Sequence, residues 1–414
     1  MAKQRQRAAG NRKWKVMVFM GTHTIVGNAP LVEAAEADLA EMASVRPSPH
    51  LEIFVQRHGD AVPTRRMLGQ PAVPVPTDQR EVADGSALKQ FILWALGFAR
   101  DSPVPPDPDA RTMLVLWGHA YQFAIGHEVR DDGNVDALDV GELADTFTAF
   151  QSEVQKAMRQ AGIERTPKLD ILGFDACDIA TVEMSCQLAP FADFLLASER
   201  GIPIPGWPYD RILDRLADPK GDRIMGPAEL GAYAVRRYCE AYQSRRPVSL
   251  SLLDLRKADR LLALTDDLAR RLALAFALDA DERDLALDLM VASQTDTDKP
   301  FIDVADFCLG LMRRSANAGV RQAAEALGDF LISPAPVVPE RSESGEGKPF
   351  IVEHARNAAG TARLNGVSLF APHVALAVDP DDRATEVSLY QKFGFARASI
   401  WGQLVEGLAA GGPV

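Results

Sequence analysis

Apolar runs alternate with helix-period stretches along the first part of the chain. "WKVMVFM" (14–20) is continuously apolar and is closed by Gly21-Thr22-His23-Thr24. "LEIFVQ" (51–56), "TMLVLWGHA" (112–120), "LDILGF" (169–174), "DFLLAS" (193–198) and "VSLSLLDL" (248–255) repeat the pattern. Short, wholly apolar runs of this kind are strands buried on both faces, as in a parallel sheet covered by helices. Helical patterns separate them. Leu31, Ala34, Ala35, Asp38, Leu39 and Met42 recur at helical spacing after Asn28 and Pro30, a cap and first-turn start signal. A helix capped by Ser86 sets Leu88, Phe91, Ile92, Ala95 and Leu96 on one face, and another spans about 141–161. Residues 62–78 read as a Pro-rich connection, and "HEVRDDGNVDALD" (127–139) as a polar loop.

Beyond residue 256 the pattern turns mainly helical, over roughly 257–292, 301–316 and 319–332. "SPAPVVPERSESGEGKP" (333–349) has the composition of a flexible insertion. "GVSLFAP" (366–372) is a late strand, and a helix from Tyr390 to Leu408 closes the chain. The expected fold is α/β: a mainly parallel sheet with helices on both faces, plus a C-terminal, mostly helical subdomain. Its parts are a basic arm (1–12), an α/β core (13–256) and the helical addition (257–414), with no internal repeat and no independent domains.

Composition adds limits. The 414 residues are 47% hydrophobic and 25% charged, typical of soluble globular chains. A formal charge of −12 gives no support to nucleic-acid or anionic-membrane partners. "MAKQRQRAAGNRKWK" is basic but has no apolar segment behind it, so it reads as a solvated arm, not a signal peptide. No apolar run reaches the ~18 residues a membrane span needs. The four cysteines are scattered without a CxxC pair, which points to reduced thiols and a cytoplasmic setting. Cys186, Cys239 and Cys308 fall within helical patterns, where cysteine is usually a small buried hydrophobe.

Cys177 is placed differently. In doubly wound sheets ligands sit beyond the carboxyl ends of the strands. Strand 112–117 runs into Trp117-Gly118-His119, and strand 169–174 into Asp175-Ala176-Cys177. If these strands are neighbours, His119 and Cys177 emerge side by side, as a nucleophile and its base must. "DIATVEMSCQL" (178–188) reads as a helix with Cys177 at its start, where backbone N–H groups favour a thiolate and could hold an oxyanion. Two things oppose this. The flanking Asp175 and Asp178 disfavour a thiolate, and a lone histidine or cysteine is more often structural than catalytic. GxSxG, GxGxxG, GxxxxGK[ST] and HExxH are all absent. Asp131, Asp132, Asn134, Asp136 and Asp139 do not follow EF-hand spacing and read as a solvated loop. His23, at the end of the first strand, reads as an ordinary loop histidine, with the site rim as the alternative.

"LVLWGHA" followed by "KLDILGFDACDIATVEMSCQLAPFADFLLASERGIPIPGWPYD" resembles the clostripain family of cysteine peptidases, in the clan of caspases and gingipains. "WKVMVFM", "LEIFVQ", "VSLSLLDL", "FIDVADF" and "GVSLFAP" extend the likeness over about residues 13 to 410. The resemblance implies a caspase-like sheet and a Cys-His dyad, with His119 as general base and acid and Cys177 as nucleophile. The backbone N–H groups of Ala120 and Cys177 would form the oxyanion hole. Cleavage after Arg or Lys would use acidic pocket residues, with Asp175 at one such position and Ser198, Glu199 and Trp207 beside the substrate. Some members are zymogens cut between the histidine and cysteine strands, here after Arg130, before Asp131. Some use calcium, so the resemblance admits calcium as a cofactor and requires none. Three departures stand out: Ala120 replaces the usual glycine after the histidine, Pro205 stands where basic-specific members carry an acid, and the turn after "VFM" differs. The expected partners are a peptide or protein substrate and an activating protease or regulatory protein, with a place in a bacterial defence or cell-death cascade by family analogy alone. The alternative is a non-catalytic, protease-like module that binds peptides or partners.

Overall fold

A computed structural model describes residues 12–23, 31–59, 62–121, 123–129, 135–164, 166–219, 223–242, 247–296, 299–332, 349–357, 363–372 and 387–409. Its strands are β1 (Trp14–Gly21), β2 (Leu51–His58), β3 (Thr64–Met67), β4 (Val73–Pro74), β5 (Arg111–Trp117), β6 (Ala120–Tyr121), β7 (Ala124–Val129), β8 (Val135–Leu138), β9 (Leu169–Asp175), β10 (Ala192–Ala197), β11 (Ser249–Asp254), β12 (Phe301–Asp303), β13 (Ile351–Arg356) and β14 (Ser368–Phe370). The helices are α1 (Val32–Ser44), α2 (Gly85–Leu96), α3 (Val140–Gln160), α4 (Val182–Leu188), α5 (Tyr209–Ala217), α6 (Pro227–Tyr242), α7 (Ala258–Leu278), α8 (Ala280–Ala292), α9 (Val304–Arg314), α10 (Ala318–Ile332), α11 (Gly394–Ala398) and α12 (Ile400–Ala409).

Nine strands form one sheet in the order β13-β11-β10-β9-β5-β1-β2-β3-β4. The five central strands, β10 to β2, run parallel, and both edges are antiparallel. Their side chains alternate between two cores. Met17, Phe19, Leu114, Leu116, Leu172 and Phe174 pack under α2, α3, α4 and the C-terminal helices. Val16, Val18, Met113, Val115, Trp117 and Ile171 pack under α1, α5 and α6. Period-two alternation with both faces apolar is why these strands read as unbroken hydrophobic runs.

Several expectations change. Residues 62–78 hold the β3–β4 hairpin. The supposed polar loop contains β7 and β8, which with β6 make a three-stranded sheet directly after His119. The helix expected from Ser86 starts at Gly85, because Asp84 caps it by accepting the Ser86 N–H. The stretch 257–292 breaks at Asp279, whose extended backbone (φ −145°, ψ 110°) ends α7 while its carboxylate caps α8. Residues 301–303 are strand, paired with β14 before α9 begins. The closing helix is two short ones, α11 and α12. β13 was not foreseen: it returns from the C-terminal region to the sheet edge beside β11, so the region beyond 256 shares the main sheet. Asn28 and Pro30, residues 1–11 of the basic arm, and 333–348 of the insertion lie outside the described residues.

Phe123 ties the histidine-side hairpin to the C-terminal region. Its ring lies 5.4 Å from those of Phe301 and Phe370 and 4.8 Å from Phe393.

Candidate active site

β5 and β9 are hydrogen-bonded parallel neighbours with Trp117 opposite Asp175. Both strands end at that pair, and the chain runs on two residues to His119 in one case and to Cys177 in the other. The Gly118 N–H extends the ladder to the Asp175 carbonyl at 3.3 Å. Gly118 sits at φ +146°, and a Cβ there would come 2.8 Å from the Gly21 carbonyl oxygen of β1. Only glycine lets the chain leave β5 this close to its neighbour. His119 is half-buried, and Ala120, which follows it, opens β6 opposite Ile125.

The cysteine turn differs from expectation. Cys177 is not at a helix start, because α4 begins only at Val182, capped by the Thr181 hydroxyl, which accepts the Met184 N–H at 3.0 Å. In between, the Asp178 N–H donates to the Arg200 carbonyl, and those of Ile179 and Ala180 donate to the Ser198 carbonyl. Those N–H groups therefore serve the neighbouring loop, and no helix dipole bears directly on the sulfur. Asp178 adopts φ +59°, a left-handed conformation that an aspartate tolerates better than most residues. The Ile202 N–H donates to the Cys177 Sγ at 3.3 Å. Burial first, then the Asp178 charge, push the thiol up to about 11, with the Ile202 N–H and Lys299 acting the other way. At neutral pH the resting sulfur is a thiol and needs a base to react.

Asp175 points into the core shared with α1, α5 and α6 and is only 4% exposed. Its Oδ2 accepts the Trp207 N–H at 3.0 Å and the Tyr209 hydroxyl at 3.1 Å, while Oδ1 has no hydrogen-bond partner among the described residues. Burial raises its carboxyl to about 7 against those two hydrogen bonds. Gly206, at φ +62°, covers it without a side chain: a Cβ there would stand 2.8 Å from Oδ2. Asp38 of α1 lies on the same side, accepting the Trp117 Nε1–H at 2.7 Å. Burial and the nearby Asp175 charge raise it to about 9.

The side chains at the other expected substrate-binding positions are buried as well. Ser198, Glu199 and Trp207 are fully buried. The Ser198 hydroxyl meets that of Ser249 and accepts the Arg200 N–H. Glu199 accepts the Gly366 N–H at 2.8 Å and faces Asp303, so burial and that neighbouring acid push it up. There it braces the C-terminal region. The Trp207 ring lies over Gly173 of β9, where a Cβ would come within 2.8 Å of it. His23 is half-buried beside His58, which burial lowers to about 4. Arg130 and Asp131 fall outside the described residues, as do Asp132 and Asn134. Asp139 caps α3 and pairs with Lys392. Among the described residues no group of three His, Cys, Asp or Glu side chains could hold a metal ion.

Sequence reasoning missed Ile202, whose contribution is a backbone N–H with no side-chain signature. It also missed that Asp38 is buried against Trp117 and close to Asp175, although an acid on the apolar face of a helix was a visible signal.

Residues 25–318 match the model of the clostripain family. Clostripain of Hathewaya histolytica is 30% identical over 166 residues, which is 34% of this chain and 28% of that protein's length. A secreted C11 cysteine protease from Bacteroides thetaiotaomicron, solved with an irreversible peptide inhibitor, has TM-score 0.61 at 15% identity, covering 94% of this chain and 99% of its own. An inactive zymogen C11 protease from Parabacteroides distasonis has TM-score 0.60 at 14% identity, covering 94% and 98%. At these identities the two solved structures speak for the fold.

Proposed function

This chain belongs to the clostripain family of cysteine peptidases, and on that premise we propose that it is an endopeptidase in which Cys177 attacks the scissile carbonyl and His119 moves the proton. The observation that carries the reading is register: β5 and β9 pair in parallel with Trp117 opposite Asp175, so the chain reaches His119 and Cys177 two residues beyond the same end of the sheet. As Sγ bonds to the carbonyl carbon, its proton passes to the imidazole. The carbonyl π electrons become an oxyanion, held by the N–H groups of Ala120 and Cys177. Collapse expels the amine, which takes the proton from His119, and leaves an acyl-cysteine. Water, deprotonated by His119, then releases the acid and restores the thiol.

Asp175 supports a preference for Arg or Lys, with one qualification. It is a single carboxyl, since Glu199 is buried elsewhere and Pro205 is neutral. Its raised pKa also means that it carries full charge only above neutrality. The preference is therefore weaker than a two-acid pocket would give, and it depends on pH. We also propose processing after Arg130, which falls between β7, ending at Val129, and β8, starting at Val135. Fragments that join at residues 130 and 131 in mass spectra of the purified protein would support this. An intact chain with full activity would exclude any need for the cut.

A peptidyl electrophile tests the dyad directly. The expected product is one covalent adduct on Cys177, formed far more slowly in His119→Ala. Adducts spread over Cys186 and Cys239, or a rate indifferent to His119, would overturn the assignment.

A further inference from the structure

Two residues between α8 and β12, Asp296 and Lys299, touch both flanks of Cys177. The Lys299 N–H donates to the Asp296 carbonyl at 3.2 Å, and Gln294 Nε2 donates to the Lys299 carbonyl at 2.8 Å. Lys299 Nζ stands 3.6 Å from Oδ2 of Asp178, the residue after the cysteine, and both side chains are mostly buried. Asp296 Oδ2 stands 2.9 Å from Arg200 Nη2. Arg200 in turn accepts the Asp178 N–H at its carbonyl and leads into Gly201-Ile202, whose N–H lies on the sulfur.

We infer that Lys299 is a positioning residue for Cys177: its ammonium neutralises Asp178 beside the sulfur and fixes the left-handed turn, while Asp296 and Arg200 hold the opposing loop. This deepens the peptidase reading, on which it rests for the role of Cys177. A carboxylate next to a nucleophilic cysteine is tolerable when a cation is built against it. Asp175 from β9 also raises the thiol, and the Arg200 guanidinium of the opposing loop is paired with Asp296. His119 stands at the end of the neighbouring strand, and Tyr238 of α6 faces both Cys177 and Asp175.

The test is the pH dependence of Cys177 alkylation by iodoacetamide in the full chain, read by mass spectrometry of the Cys177 peptide. Lys299→Gln removes the ammonium 3.6 Å from the Asp178 carboxylate and should move the midpoint up by about 0.5–1 unit. Asp178→Asn, which keeps a residue suited to positive φ, should move it down by a similar amount. The double variant should return toward wild type. Midpoints that stay at the wild-type value, or that move in the same direction in both single variants, overturn the inference, because damage to folding alone would not split them. If Lys299→Gln does not fold, Asp178→Asn decides alone, and an unmoved midpoint is the contrary result. Opposed shifts in a protein whose wild type cleaves no peptide would leave the pair standing and remove the peptidase reading instead.

Discussion

Cys177 has an acid on either side, and the two carboxyls do separate things. Asp175 turns into the core against Trp207 and Tyr209, and Asp178 faces Lys299. The thiol still sits near 11, chiefly through burial, so reactivity at neutral pH depends on the base. His119→Ala should therefore lower kcat by about 10²–10⁴-fold with little change in KM, as steady-state kinetics on one peptide would show. Asp175 makes a prediction of its own. A carboxyl raised to about 7 is neutral below that pH and anionic above it. The kcat/KM ratio for Arg over a neutral aliphatic residue at the cleavage site should rise as pH increases through 7. Asp175→Asn should flatten that ratio across the range. The strand ends that lead to His119 and Cys177 were legible because each apolar run stops abruptly, at Gly118 and at Asp175, whereas their pairing as a dyad rested on the family resemblance. Ile202 and Lys299 were not legible, since one acts through its backbone and the other comes from a distant turn.

Among the elements, the parallel strands were the easiest to read, because a short, continuous apolar run bounded by glycine suits a strand buried on both faces and little else. The turns that carry the chemistry were harder. The helix after Cys177 could start at Asp178 or Thr181 by capping chemistry alone. Thr181 prevails because the intervening N–H groups bond to Ser198 and Arg200, partners far off in sequence. The β6–β7–β8 sheet escaped notice because its short strands carry polar residues that resemble loop composition. At this scale Gly118 matters most, since it joins β5 to the histidine at φ +146° against the Gly21 carbonyl. Gly118→Ala should cost about 1–3 kcal/mol in denaturant unfolding and depress activity beyond the fraction unfolded. A neutral substitution would show that the strand end has room to shift.

Across the whole molecule, the C-terminal region is part of the catalytic scaffold. β13 completes the sheet edge, and buried carboxyls dock the rest: Glu199 takes the Gly366 N–H, and Glu183 takes the Phe370 N–H at 2.9 Å. Glu199 and Asp303 face each other in the interior, and burial raises both. A carboxyl raised on folding opposes the folded state once pH exceeds its unfolded value of about 4.3. Glu199→Gln should thus raise Tm, by a margin that widens from pH 5 to pH 8; a margin independent of pH would refute the shared-burial account. The central claim concerns one sulfur, and the most direct measurement is hydrolysis of a panel of short fluorogenic peptides by wild type and Cys177→Ala at pH 8. The account predicts turnover by the wild type, strongest after Arg or Lys, and none above background in the variant. Equal turnover by the two proteins would contradict it.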